Sequence, residues 1–156
     1  MPYARAFIKG NFLAPKLDGI VELYPYLEGT LVKVEIANLP PTKPISNNEA
    51  PVGPFGFHIH DGVNFEDPQN KFEQAKGHYN PSNMPHAFHA GDLPSLLSNY
   101  GYAYMIVYTD RFKPEEVIGK AIIIHKNPDD YRTQPAGNAG DRIGCGLIEK
   151  INETFT

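Results

Sequence analysis

Five of the chain's six histidines lie between residues 56 and 92, and the sixth, His125, must fold back onto them if they act together. That requirement constrains the fold more than any other feature. In Gly56-Phe57-His58-Ile59-His60-Asp61, a strand's period of two puts both imidazoles on one face and Phe57 and Ile59 on the other. One face is for ligands and the other for a core. His78 follows in Gly77-His78-Tyr79-Asn80-Pro81, then His86 and His89 in a stretch bracketed by Pro85 and Gly91. This bracketing predicts an ordered loop rather than a helix.

The donor set points to metal chemistry. Four imidazoles without sulfur suit a tetragonal Cu(II) site, and three imidazoles plus one carboxylate suit tetrahedral zinc. His58, His60, His78 and His125 form the first set, and His78, His86, His89 and Asp92 the second. The count closes only if His78 serves both metals as an imidazolate, its negative charge lying between two cations. A lone His-x-His pair on a strand is common in any fold. Here every histidine finds a place.

The remainder reads as one all-β domain spanning residues 1–156. Fifteen prolines and fourteen glycines imply many turns, and the length suffices for a sizeable core. Strands are expected at 4–9 and 19–26, and again where Val32, Val34 and Ile36 interleave with Lys33 and Glu35. The stretch 38–54 is rich in Pro and Asn and reads as a surface loop, with a wall of the site mouth as the functional alternative. Tyr102, Tyr104, Ile106 and Tyr108 alternate with Ala103, Met105 and Val107, a strand apolar on both faces whose aromatic stripe is read as packing. Residues 113–119 suggest a short helical turn, with Pro114 near its start and Gly119 at its end. Strands at 120–125 and 144–151 follow, the last closing the sheet.

Some classes of partner are disfavoured. A formal charge of −4, with no basic patch or Gly-rich phosphate loop, argues against nucleic acid. No apolar run is long enough for a transmembrane helix. The chain shows no leader, and its single cysteine suits a reducing cytoplasm, although a cleaved leader would leave no trace.

Phe57-His58-Ile59-His60, Gly77-His78-Tyr79-Asn80-Pro81, His89-Ala90-Gly91-Asp92-Leu93, His125 and Gly137-Asn138-Ala139-Gly140-Asp141-Arg142-Ile143-Gly144-Cys145-Gly146 resemble the copper/zinc superoxide dismutase family, in that family's order. The resemblance implies an eight-stranded antiparallel Greek-key barrel, sandwich-like in the immunoglobulin manner, with the metals held outside it by two long loops. It implies copper and zinc on the seven ligands above, and dismutation of superoxide to dioxygen and hydrogen peroxide by redox cycling of the copper. His78 would let go of copper on reduction, take a proton while zinc holds it, and return that proton to the nascent peroxide. Arg142 would dock superoxide, with Lys126 and Arg132 as secondary steering charges or plain surface residues. Asp129 would link a copper histidine to a zinc histidine, and the adjacent Asp130 would be exposed.

Two departures from the family pattern stand out. Members normally have a cysteine in the loop after His-x-His, bonded to the counterpart of Cys145. That residue is this chain's only cysteine, so no intrachain disulfide is possible. Cys145 then reads as a small buried apolar residue. The loop must be anchored otherwise, with Phe65 and Phe72 as candidates. The segment before Arg142 is also short and resembles that of bacterial members. A metal carrier or storage protein without turnover is the alternative function, though intact Arg142 and the lack of sulfur ligands weigh against it. Monomer and homodimer both remain open.

Overall fold

The computed structural model describes residues 1–62 and 71–152. The strands are β1 (Ala4–Gly10), β2 (Asp18–Tyr26), β3 (Gly29–Ala37), β4 (Phe55–His60), β5 (Asp92–Leu96), β6 (Ala103–Thr109), β7 (Ala121–His125), β8 (Arg142–Leu147) and a two-residue β9 (Glu149–Lys150). Eight of them form one antiparallel sheet in the order β5-β4-β7-β8-β1-β2-β3-β6, and β9 pairs with β1. The sheet curls into a nearly closed barrel, its free edges being β5 and β6. The connections 38–54 and 110–120 cross between its two halves, which is the Greek-key pattern expected from the sequence.

Strict alternation fills the barrel. Ala4, Ala6 and Ile8 of β1, Val32, Val34 and Ile36 of β3, and Phe55, Phe57 and Ile59 of β4 all point into one core with Ile122 and Ile124 of β7. The opposite face of β7 is buried as well. There Ala121 and Ile123 join Cys145, Phe72 and Ala75 in a second, smaller apolar cluster. β7 is therefore buried along its whole length, which explains its unbroken apolar run.

Two expectations need correction. Tyr102, Tyr104, Ile106 and Tyr108 are not packed in a core: each is at least 40% exposed, because the last three line the outer face of β6 and Tyr102 precedes it, while Ala103, Met105 and Val107 turn inward. The final segment pairs with both β7 and β1 and so leaves no exposed edge of its own, but β8 begins at Arg142 rather than at 144, and the open seam lies between β5 and β6. Residues 38–54 form the largely exposed loop read from the sequence, and they do not line the histidine pocket described below. They brace its back instead, where the Pro51 carbonyl accepts from Asn127 Nδ2 at 2.6 Å and Gly53 N–H donates to the Lys126 carbonyl at 2.9 Å.

The expected turn near residue 114 is present as a 3-10 turn, Pro114–Val117, followed by Gly119 at a φ of +80°. Among the described residues no helix is long and apolar enough to cross a membrane.

This arrangement separates core from surface sharply. Truncating Phe57 to Ala should cost about 3–5 kcal/mol, whereas Tyr104→Thr, on the wet face, should stay within about 0.5 kcal/mol of the parent. Urea denaturation of the metal-free protein measures both.

Candidate metal centre

Sheet register brings the chemistry to one end of the barrel. His58 lies opposite Asp92 on β5 and Ile123 on β7, His60 forms an isolated bridge with His78, and His125 pairs with Arg142 across a bulge. The outer face of β4 thus carries His58 and His60 into a space roofed by residues 71–91 and 126–141. All six histidines are buried, as are Asp92 and Asp129.

Hydrogen bonds fix which ring nitrogen of each histidine is available. Carboxylates and carbonyls only accept, so the nitrogen hydrogen-bonded to one carries the proton and the other nitrogen keeps its lone pair. His58 Nε2–H donates to Asp129 Oδ2 at 2.7 Å, His60 Nδ1–H to the Lys76 carbonyl at 2.8 Å, and His125 Nδ1–H to the Gly140 carbonyl at 3.1 Å. The lone pairs left over are on His58 Nδ1, His60 Nε2 and His125 Nε2. Together with His78 they form a group whose ligand atoms all lie within 4.8 Å of one another.

The second group, His78, His86, His89 and Asp92, meets the same limit. His86 Nε2–H donates to Asp129 Oδ1 at 2.8 Å, which leaves its Nδ1 lone pair 3.1 Å from Asp92 Oδ2. His78 Nδ1 and His89 Nδ1 stand 2.7 and 3.3 Å from Asp92 Oδ1. Asp92 Oδ2 also accepts from the His89 backbone N–H at 3.0 Å, so this residue both orders its turn and faces the imidazoles.

These contacts suit cations. The buried His58 Nδ1, His78 Nε2 and His86 Nδ1 have no hydrogen-bond partner, a costly state unless something else binds them. His60 Nε2 and His125 Nε2 lie 3.3 Å apart with both protons on the far nitrogens, so two lone pairs face each other. His86 Nδ1 faces a carboxylate oxygen in the same way. A metal ion in each group would turn these repulsions into bonds, and neutral imidazole with one carboxylate is the donor chemistry of copper and zinc.

Electrostatics favours the liganding forms. Burial holds His58 below the ordinary histidine value despite its bond to Asp129, and burial with neighbouring imidazoles lowers His60 and His125 much further. Burial likewise lowers His89. Burial alone would raise Asp92 and Asp129, but hydrogen bonds from His78 to the first, and from His58 and His86 to the second, outweigh it and hold both carboxylates below their usual range.

The first group opens on a pocket of about 460 Å³ lined by His60, His78 and His125, with Arg142, Lys76 and Gln134 at its rim. His58 lies deeper. Arg142 is fixed by Nη1 donating to the Phe72 carbonyl at 2.5 Å and Nη2 donating to the Lys76 carbonyl at 2.6 Å. Lys126 and Arg132 do not line this pocket; Lys76 is the lysine that does. Asp130 is exposed and caps its own turn through Arg132 and Thr133. Cys145 is buried, and burial pushes its thiol up to about 12, an inert side chain.

Several contributors left no mark in the sequence. The carbonyls of Lys76 and Gly140 orient His60 and His125, and backbone acceptors have no residue signature. Gln134 clamps His86, accepting from its N–H at 2.9 Å and donating to its carbonyl at 2.6 Å. Arg111 Nη1 donates to the carbonyls of Ala87 and His89 at 3.0 and 3.1 Å, tying the loop down from β6's end. The Gly-Asn-Ala-Gly motif does have a steric reading. A Cβ on Gly137 would stand 2.0 Å from Asp129 Oδ1, and one on Gly140 would stand 1.8 Å from Asn127 Oδ1, each at a positive φ. Only glycine lets the chain pass so close to these side chains.

A Greek-key barrel carrying two adjoining imidazole clusters at one end, one of them opening on a pocket rimmed by an arginine, defines a class of metalloprotein able to hold two neighbouring ions. The chain belongs to the copper/zinc superoxide dismutase family: residues 18–148 match the family described as "Copper/zinc superoxide dismutase (SODC)". It is 34% identical to "Superoxide dismutase [Cu-Zn] 1" of Aquifex aeolicus, over 84% of this chain and 79% of that protein. It is 35% identical to "Superoxide dismutase [Cu-Zn]" of Deinococcus radiodurans, over 88% of this chain and 80% of that protein. Among solved structures it is similar to the Cu/Zn superoxide dismutase of Brucella abortus, with a TM-score of 0.74 and 26% identity over 94% of this chain and 99% of that one. The family's cofactors are copper and zinc, which fits the donor atoms found here.

The lowered histidines set an acid limit. Between their folded values and the unfolded value near 6.5, the unfolded chain binds more protons than the folded one, so stability rises with pH through that window. The metal-free protein should therefore lose stability as pH falls below about 6.5, and lose more below about 4 as the unfolded chain's carboxylates protonate. Denaturation midpoints at a series of pH values check this; a flat response between pH values near 7 and 5 would contradict it.

Proposed function

We propose that this chain is a superoxide dismutase, with copper held by His58 Nδ1, His60 Nε2, His78 Nε2 and His125 Nε2, and zinc held by His78 Nδ1, His86 Nδ1, His89 Nδ1 and Asp92. The observation that supports the reading is that His78 is common to both groups, with Nδ1 2.7 Å from Asp92 Oδ1 and a buried Nε2 that has no hydrogen-bond partner. One imidazole would then join both ions.

Bound copper supplies the one-electron redox couple that superoxide dismutation needs, and bound zinc supplies a fixed charge that keeps His78 in place. The protein's residues do the rest. Arg142, at the pocket rim, binds the superoxide anion, its guanidinium aimed by the Phe72 and Lys76 carbonyls. Such a local positive group can focus an anion whatever the net charge of −4. His60 and His125 are held neutral and oriented by backbone carbonyls, so they need no reorganisation. With Nδ1 turned to Asp92 at 2.7 Å, His78 Nε2 would be the position where a proton is held and passed to the reduced product. Asp129 holds His58 and His86 together and so sets the spacing of the two clusters. Two superoxide anions and two protons give dioxygen and hydrogen peroxide.

Metal content and superoxide decay by pulse radiolysis, on one preparation loaded with both metals, test the proposal. Near-stoichiometric copper and zinc with fast decay that a chelator abolishes is the expected result. Both metals bound without decay beyond a free-copper control would overturn dismutation in favour of a carrier or storage role. His125→Ala should remove most activity while zinc stays bound. Arg142→Ala should slow capture and flatten its dependence on ionic strength; parent-like rates would remove Arg142 from the docking role.

A further inference from the structure

Arg142 is aimed by a segment that no disulfide can hold, since the chain has one cysteine. What holds it is visible around Phe72. Phe72 is 5% exposed and packs with Ala75 against Ala121, Ile123 and Cys145, on the face of β7 and β8 turned away from the barrel core. The same residue's carbonyl accepts from Arg142 Nη1 and from the Ala75 N–H. Four residues on, the Lys76 carbonyl accepts both from Arg142 Nη2 and from His60 Nδ1. Ring and carbonyl of one residue thus connect a buried apolar cluster to the pocket's guanidinium.

Backbone conformation points the same way. Phe72 has a φ of +59°, in the left-handed region that bulky side chains avoid. Such a conformation persists only where the surroundings impose it. Here the burial of the ring holds the strained residue, and the strained residue presents its carbonyl to Arg142. On the far side of the turn, Gly62 N–H donates to the Ala75 carbonyl at 2.8 Å and Ala121 N–H donates to the Gly62 carbonyl at 3.1 Å, so the segment's other end is also tied to β7. Of the two anchors considered from the sequence, Phe72 takes this place; Phe65 lies outside the described residues.

We propose that Phe72 is the positioning residue for Arg142, an apolar latch that aims the guanidinium into the pocket without any covalent link. The proposal rests on the reading of Arg142 as the group that docks superoxide. A latch made of buried hydrocarbon holds in reducing and oxidising conditions alike, so capture should not respond to thiol reductants.

The test compares Phe72→Ala, Phe72→Leu, Arg142→Ala and the double variant Phe72→Ala/Arg142→Ala, all loaded with copper and zinc. Phe72→Ala should lower kcat/KM about tenfold and flatten its ionic-strength dependence towards that of Arg142→Ala, with metal content and the visible copper spectrum unchanged. Phe72→Leu, which keeps an apolar side chain, should recover most of the loss. The double variant should be no worse than Arg142→Ala alone, because both changes remove one function. Effects that multiply, or a parent-like salt dependence in Phe72→Ala, would overturn the proposal. A second readout needs no activity: in the metal-free protein, NMR of the Arg142 Nε–H should give an order parameter of roughly 0.85 in the parent and Phe72→Leu, falling below about 0.6 in Phe72→Ala. An equally rigid guanidinium in Phe72→Ala overturns the latch even if the chain proves inactive. A mobile one together with an inactive parent keeps the latch and sinks the dismutase reading instead.

Discussion

One buried carboxylate ties three parts of this molecule together. Asp129, on the connection before β8, takes His58 from the barrel wall with one oxygen and His86 from the long loop after β4 with the other. A carboxylate buried this deeply needs partners to stay charged. It has two imidazole N–H donors and the Tyr131 backbone N–H at 2.7 Å. Everything nearby accommodates that arrangement, including Gly137, whose missing Cβ leaves room for the Asp129–His86 contact. Each histidine held by one nitrogen is forced to present the other, and that is how a fold with no metal-specific architecture acquires two inward-facing donor sets.

The barrel matters because it is rigid where the ligands are not local. His58 and His60 rest on a strand whose other face is core, and His125 ends a strand buried on both sides. Antiparallel register then brings residues 58, 92, 125 and 142 together without any loop having to search for them. The connections contribute what a strand cannot, bending His78, His86 and His89 around Asp92. Gln134 and Arg111 stiffen that loop through hydrogen bonds to its backbone, so the second cluster is built on a braced loop.

Much of this was legible in the sequence, and the reasons differ by residue. The period of two in β3 and β4 announced both strands, and the seven clustered residues were readable because imidazoles and a carboxylate at those spacings have few other uses together. Asp129 was placed only through a resemblance. Alternation located the β6 tyrosines on one face but could not say that it was the wet one, since a nearly closed barrel hides its seam from sequence. Lys76 and Gly140 act through carbonyls that every residue possesses. Phe72 could be suspected as an anchor because a cysteine is missing. Its second role, holding Arg142 through its own carbonyl, depends on a left-handed backbone that phenylalanine does not advertise.

The central claim is that one imidazole, His78, serves two different ions. Crystals of the copper- and zinc-loaded protein, with anomalous diffraction recorded on both sides of each metal's absorption edge, test it directly. Copper is expected among His58, His60, His78 and His125, zinc among His78, His86, His89 and Asp92, and the two ring nitrogens of His78 pointing one to each. A single occupied site, or two sites with His78 turned away from either, would contradict it.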